Sequence, residues 1–106
     1  MKGTNLGEFQ EIVMLSILIL EKDAYGVTIQ EEIDRRMNRK ISRGALHTAL
    51  TRLEEKGLIQ SDYGEPTAER GGRRKRFYEV TNTGMATLQE AKQLRQNMWS
   101  MIPGLS

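Results

Sequence analysis

The 106-residue chain has no cysteine, one histidine, two prolines and few aromatic residues. Without cysteine there is neither a disulfide framework nor a thiolate metal site. The lone His47 among oxygen donors makes a poor transition-metal site. No serine or lysine has an evident base partner for nucleophilic chemistry. The adjacent acids Glu31-Glu32 and Glu54-Glu55 diverge by about 100° on a helix, so neither pair converges for acid–base work. The glycines follow neither the Gly-x-Gly-x-x-Gly nor the Walker spacing that cradles phosphates. The one long apolar run, Ile12–Leu20, is too short to cross a bilayer. Glu8 and Glu11 before it, and the lack of a small-residue cleavage site after it, set it apart from a secretory leader. The expectation is a non-enzymatic chain without cofactor, metal or membrane span, in a reducing cytoplasm.

What is present is an uneven charge distribution. The formal net charge is only +2, yet residues 35–76 hold twelve Lys/Arg against five Asp/Glu, and the remainder holds four against nine. A basic middle between acidic ends prepares one face for a polyanion. Within that middle, Leu46, Ala49, Leu50 and Leu53 recur at i, i+3, i+4, i+7 and predict a helix of roughly 14 residues. Ser42 is its natural N-cap, and Gly57 supplies a left-handed residue beyond its end, with Leu58 packing back. The opposite side carries Gly44, His47, Thr48, Thr51 and Glu55, flanked by Arg43 and Arg52. Small and hydroxyl side chains permit close approach to another surface, and arginines suit phosphates and base edges. Taken alone, the helix is equally consistent with a core helix of mixed surface.

The following stretch favours the first reading. Leu58–Tyr63 and Lys75–Val80 read as two strands joined by a loop of turn formers, Gly64–Gly72. Residues 70–76 place five cations, Arg70, Arg73, Arg74, Lys75 and Arg76, in seven positions. Such runs are usually solvated faces, but directly after a candidate recognition helix this one suits phosphate contact. Helix, glycine, strand, basic loop, strand is the order of a winged helix-turn-helix.

Here the sequence resembles the PadR family of transcriptional regulators. Ser42-Arg43-Gly44-Ala45-Leu46 and Leu50–Ile59 are similar to the family's recognition-helix block, Arg73–Gly84 to its second wing strand and last helix start, and Ala24-Tyr25-Gly26 to the start of its second helix. The likeness runs from about Gly7 to Gly84. Two positions depart from the pattern: His47 stands where the family usually has tyrosine, and Val27 where a second aromatic is frequent. The resemblance implies DNA binding, dimerisation through the last helix, and a response to phenolic or other hydrophobic compounds.

The remaining segments fit that frame. Residues 1–6 read as a disordered start, 7–82 as the winged helix unit, and 83–106 as a dimerisation helix with a tail. A first helix from about Gly7 is apolar nearly all round through Ile12–Leu20 and should be buried on more than one side. Asp23 is the expected cap of a second helix through Ile29, Ile33 and Met37, with Arg39 and Lys40 in the connector beside a phosphate backbone. After Thr81–Gly84, the stripe Leu88, Ala91, Leu94, Met98, Met101 or Ile102 needs a partner, most simply a second copy. Trp99 beside Met98 is a candidate site for a small aromatic effector, with plain dimer packing as the alternative.

The expected fold is therefore mainly α with a small β-hairpin, a winged helix-turn-helix with a C-terminal dimerisation helix. The expected function is a homodimeric repressor of a palindromic double-stranded DNA operator, relieved by a hydrophobic effector. Its DNA-facing residues are Arg39, Lys40, Ser42, Arg43, Gly44, His47, Thr48, Thr51, Arg52, Arg70, Arg73, Arg74, Lys75 and Arg76. The rival is a winged-helix protein–protein module using the same surface on an acidic partner, because the fold hosts both functions.

Overall fold

The computed structural model describes residues 6–64 and 74–105. Four helices and a two-stranded antiparallel hairpin follow one another as α1 (Glu8–Leu20), α2 (Gly26–Met37), α3 (Arg43–Glu55), β1 (Ile59–Tyr63), β2 (Arg76–Val80) and α4 (Asn82–Ser100). A short 3₁₀ turn, Glu21–Asp23, separates α1 from α2. This is a mainly helical winged helix.

The core forms where the apolar stripes of the first three helices meet. Val13, Met14 and Ile17 of α1 pack with Ile29 and Ile33 of α2 and with Leu46, Ala49, Leu50 and Leu53 of α3. Leu58, Ile59 and Leu88 close the cluster from the hairpin and α4. α1 is not buried all round: Leu15, Leu18 and Ile19 remain exposed. Leu6, expected in a disordered start, is half-buried against the core.

Both ends of α3 form as their local chemistry dictates. The Ser42 hydroxyl accepts the Ala45 N–H at 3.0 Å, satisfying a first-turn donor. At the other end Gly57 has φ 76°, and the Gly57 and Leu58 N–H groups return to the Glu54 and Leu53 carbonyls at 3.0 Å each. That is a Schellman closure, and it turns the chain sharply into β1.

The start of α2 differs from expectation. The 3₁₀ turn delays the helix, so the N-cap is Tyr25 and Asp23 contributes only its backbone carbonyl. Thr28 accepts the Tyr25 N–H at 3.0 Å and its hydroxyl reaches the Asp23 carbonyl at 2.5 Å. At the far end Asn38 adopts a left-handed conformation, φ 56°. The connector behind it is pinned from α2: Asp34 Oδ1 accepts the Ile41 N–H and Gln30 Nε2 donates to the Ile41 carbonyl, both at 2.9 Å. These bonds set the angle between α2 and α3.

The hairpin pairs Ile59 with Val80, Ser61 with Tyr78 and Tyr63 with Arg76. It is stitched to α2 by the Tyr78 N–H on the Ala24 carbonyl at 2.9 Å, and Tyr25 meets Phe77 edge-on at 5.4 Å. α4 begins at its N-cap Thr81, whose hydroxyl accepts the Gly84 N–H at 3.0 Å. The expected boundary at 82/83 falls in the first turn of α4. Gly84, Leu88 and Ala91 are buried, while every residue from Lys92 to Ser100 is exposed. Arg95 pairs with Glu11 of α1, whose carboxylate holds the guanidinium's pKa above its ordinary value. No described helix is long and apolar enough to cross a membrane.

Candidate nucleic-acid interface

With Leu46, Ala49, Leu50 and Leu53 turned inward, the 100° step per residue aims Gly44, Thr48, Thr51 and Glu55 outward. Arg43, His47 and Glu54 lean toward the hairpin, and Ala45 and Arg52 toward α1. Gly44, Thr48 and Thr51 expose no bulk beyond a hydroxyl and a methyl, so a flat or grooved partner can approach the helix backbone. Ser42 is exposed, but its hydroxyl already serves as the cap.

Two grooves flank this helix. One, of about 430 Å³, lies between the start of α2, α3 and the hairpin. Leu46, Leu50, Val27 and Tyr78 provide its apolar surface, and Arg43, Arg74, Lys75 and Arg76 its cationic one, with His47 beside them. The other, of about 550 Å³, lies where Gly44, Thr48 and Arg52 face the start of α1 at Gly7–Gln10. A third, of about 760 Å³, opens beyond the hairpin between α1 and the strands and carries Glu21, Asp62 and Glu79. The hairpin thus separates a cationic groove from an acid-rich one, and only the cationic side adjoins the outward face of α3.

The expected contact residues divide by what their side chains already hold. Arg39, Lys40, Arg43, Arg52 and Arg74 are exposed and make no side-chain hydrogen bond or ion pair among the described residues. Lys75 is half-buried, donates to the Tyr25 hydroxyl at 3.3 Å and lies 4.4 Å from that ring's centroid. Arg76 is bound to Glu54 at 3.1 Å and to Ser61 at 2.9 Å. Arg70 and Arg73 lie outside the described residues.

Sequence reasoning missed Tyr25, Gln30, Glu54 and Tyr78 as groove and hairpin contacts. Glu54 was findable, since it stands seven positions after His47 on the same helical flank. Burial pushes the Tyr78 phenol above its ordinary pKa, against the pull of Arg76. On α2, Glu32 is 3% exposed and holds Arg36 at 2.5 Å and Arg35 beside it. The Arg36 hydrogen bond, foremost, keeps its carboxyl below the usual pKa despite burial.

The expected dimer stripe also divides. Leu88 and Ala91 are buried in the chain's own core, because the first turns of α4 pack against it. Leu94, Met98, Met101 and Ile102 are exposed, as is Trp99 at 62%. Trp99 lines none of the three grooves.

Comparison with known proteins agrees with this geometry. The profile of the transcriptional regulator PadR-like family matches residues 14–90, most of the chain. A Lysinibacillus sphaericus protein, called uncharacterized protein X, is 43% identical over 75 residues, 69% of this chain and 66% of its own. The matched stretch thus spans just under two thirds of that relative's length. A PadR family transcription regulator from Clostridium difficile R20291 has 30% identity and a TM-score of 0.64, over 85% of this chain and 90% of that one. Two more distant structures share the fold. One is a PadR-like regulator from Bacillus cereus, at 19% identity and TM-score 0.69, over 91% of this chain and 92% of that one. The other is RosR of H. salinarum, at 22% identity and 0.71, over 92% and 81%. A helix with capped ends, a hairpin beside it that carries cations, and a profile match over most of the chain place this protein in the transcriptional regulator PadR-like family.

Proposed function

We propose that the chain acts as a homodimeric, sequence-specific repressor of a palindromic DNA operator. The observation that carries this reading is the outward face of α3. Gly44, Thr48 and Thr51 leave the helix backbone approachable, and Arg39, Lys40, Arg43, Arg52 and Arg74, uncommitted among the described residues, surround it. Seated in the major groove, Arg43, His47, Thr48 and Thr51 lie nearest base edges, which specify sequence. The connector cations and Arg74 take phosphates, which supply affinity and its salt dependence.

The dimer rests on the exposed half of α4. Leu94, Met98, Trp99, Met101 and Ile102, with Leu15, Leu18 and Ile19 of α1, expose an apolar area that a second copy would cover. Two-fold symmetry then sets two copies of α3 about 34 Å apart, or a multiple of it, on a palindrome. Trp99 with Met98 offers two such copies a planar, adaptable site for a small hydrophobic effector. The effector switches the repressor if it prefers one spacing of the recognition helices over the other.

The test is a footprint and mobility-shift titration on DNA upstream of the protein's own gene. The expected result is a protected palindrome, with Thr48→Val or Thr51→Val changing the ranking of sequences and Arg74→Ala weakening all of them alike. Binding of acidic protein surfaces with no DNA preference would instead support the interaction-module reading.

A further inference from the structure

The recognition helix and the wing are joined covalently only through Lys56–Leu58, and Gly57 there has φ 76°. The hairpin is also held by the Tyr78 N–H on the Ala24 carbonyl and by Tyr25 against Phe77, so its angle to α3 itself depends on what ties these two elements directly. Backbone bonds fix the hairpin's base: the Thr81 N–H donates to the Leu58 carbonyl at 3.0 Å, and the Thr81 hydroxyl to the Gly57 carbonyl at 2.7 Å. Farther along the strands, the link to α3 is a closed ring of three side chains. Ser61 Oγ of β1 donates to Glu54 Oε2 at 2.7 Å, and Arg76 Nη2 of β2 donates to Glu54 Oε1 at 3.1 Å. Arg76 Nε donates to Ser61 Oγ at 2.9 Å. Both carboxylate oxygens are used, one on each strand. The Tyr63 and Tyr78 rings stand 5.7 Å from the guanidinium carbon.

Resting on the DNA-binding reading above, we infer that Glu54 is a positioning residue that fixes the wing against the recognition helix, with Arg76 as its strut and not a phosphate ligand. The placement of Glu54 supports this. It lies about 20° from His47 on the helix wheel, on the hairpin side of the outward face. There a free carboxylate would repel phosphates, whereas a paired one holds the hairpin at a fixed angle. The pairing also neutralises the Arg76 charge, unlike that of Arg74 two residues earlier, which is uncommitted among the described residues. The basic run therefore contains two kinds of arginine that its sequence does not distinguish. One bears on affinity for any DNA; the other bears on selectivity, through the register of wing and helix.

The experiment compares the full chain with Arg74→Ala, Arg76→Ala, Glu54→Gln and the Glu54→Gln/Arg76→Ala pair, with folding monitored by circular dichroism. Ser61→Ala serves as a milder break of the same ring. Affinity is measured across salt for the footprinted operator and a scrambled duplex. In the free protein, the Arg76 Nε–H and Nη2–H resonances, which report the bonds to Ser61 and to Glu54, are followed by NMR. The expected outcome is that Arg74→Ala flattens the salt slope by about 0.9 for each phosphate it leaves unneutralised. Arg76→Ala leaves the slope unchanged but lowers the operator-to-scrambled ratio roughly five-fold or more, the discrimination carried by one base pair. Glu54→Gln lowers that ratio similarly without flattening the slope, and the double variant is no worse than either single one. Both are protected from exchange in the wild type; Ser61→Ala unprotects the Nε–H and Glu54→Gln the Nη2–H. A slope flattened as much by Arg76→Ala as by Arg74→Ala would overturn the inference, as would a ratio untouched by Glu54→Gln. If the wild type binds neither duplex, the DNA-binding reading fails. The free-protein resonances still decide whether the strut exists, and unprotected signals would refute it.

Discussion

A β-carbon on Gly84 has no place to go. It would lie 2.1 Å from the Leu58 carbonyl oxygen, 2.7 Å from Val80 Cγ1 and 3.0 Å from the Leu58 carbonyl carbon. The nearest obstacle is backbone, and that carbonyl already accepts the Thr81 N–H at 3.0 Å, so it cannot retreat without loosening the hairpin. Overpacking of this kind typically costs about 1–3 kcal/mol, and contact with fixed backbone places it at the upper end. Alanine returns up to about 1 kcal/mol in helix propensity over glycine. The net expectation for Gly84→Ala is a loss of about 2 kcal/mol, or roughly 8–16 °C in Tm for a domain of this size. Thermal unfolding at fixed protein concentration measures it, because the midpoint of the proposed dimer would depend on concentration. An unchanged or raised midpoint would refute the reasoning, since propensity alone would then decide and α4 would not need its close seat on Leu58 and Val80. The seat has a functional side, because α4 links the winged unit to the proposed dimer surface.

Three further outcomes follow from single side chains and one pair. Glu32→Gln should destabilise the protein at neutral pH. The lowered carboxyl pKa means this stabilisation is complete above the unfolded value near about 4.3 and is lost as pH falls through the lower folded value, so wild-type and variant unfolding curves should converge in acid. Ser42→Ala removes the cap of α3 and should cost about 1 kcal/mol, read by denaturant titration, with Ser42→Asp keeping most of it. Leu94→Glu with Met98→Glu should leave a folded monomer in sedimentation at micromolar concentration; a surviving dimer would place the interface elsewhere.

The fold was legible where its causes are local. Ser42, Gly57 and Leu58 mark the ends of α3 through caps that involve neighbouring residues only. The inward stripe Leu46–Leu53 follows from the helical period. What escaped depends on distant partners. Leu88 and Ala91 share one apolar stripe with Leu94 and Met98, and only the packing of α4 on the hairpin divides core from exposed surface. Asp23 is as good a cap as Ser42 in isolation, yet the 3₁₀ turn hands that place to Tyr25. Arg74 and Arg76 look alike in a basic run, and strand register brings only the second to Ser61 and Glu54.

The central claim is that the outward face of α3 and its surrounding cations bind operator DNA. Its most direct measurement is the binding constant for the footprinted operator as a function of salt, beside a scrambled duplex of equal length. If each protomer of a dimer seats Arg39, Lys40 and Arg74 on phosphates, the slope of log K against log salt should be about −5. The operator should also bind at least about 10³-fold tighter than the scrambled sequence. A slope near zero, or equal constants for the two duplexes, would contradict the account.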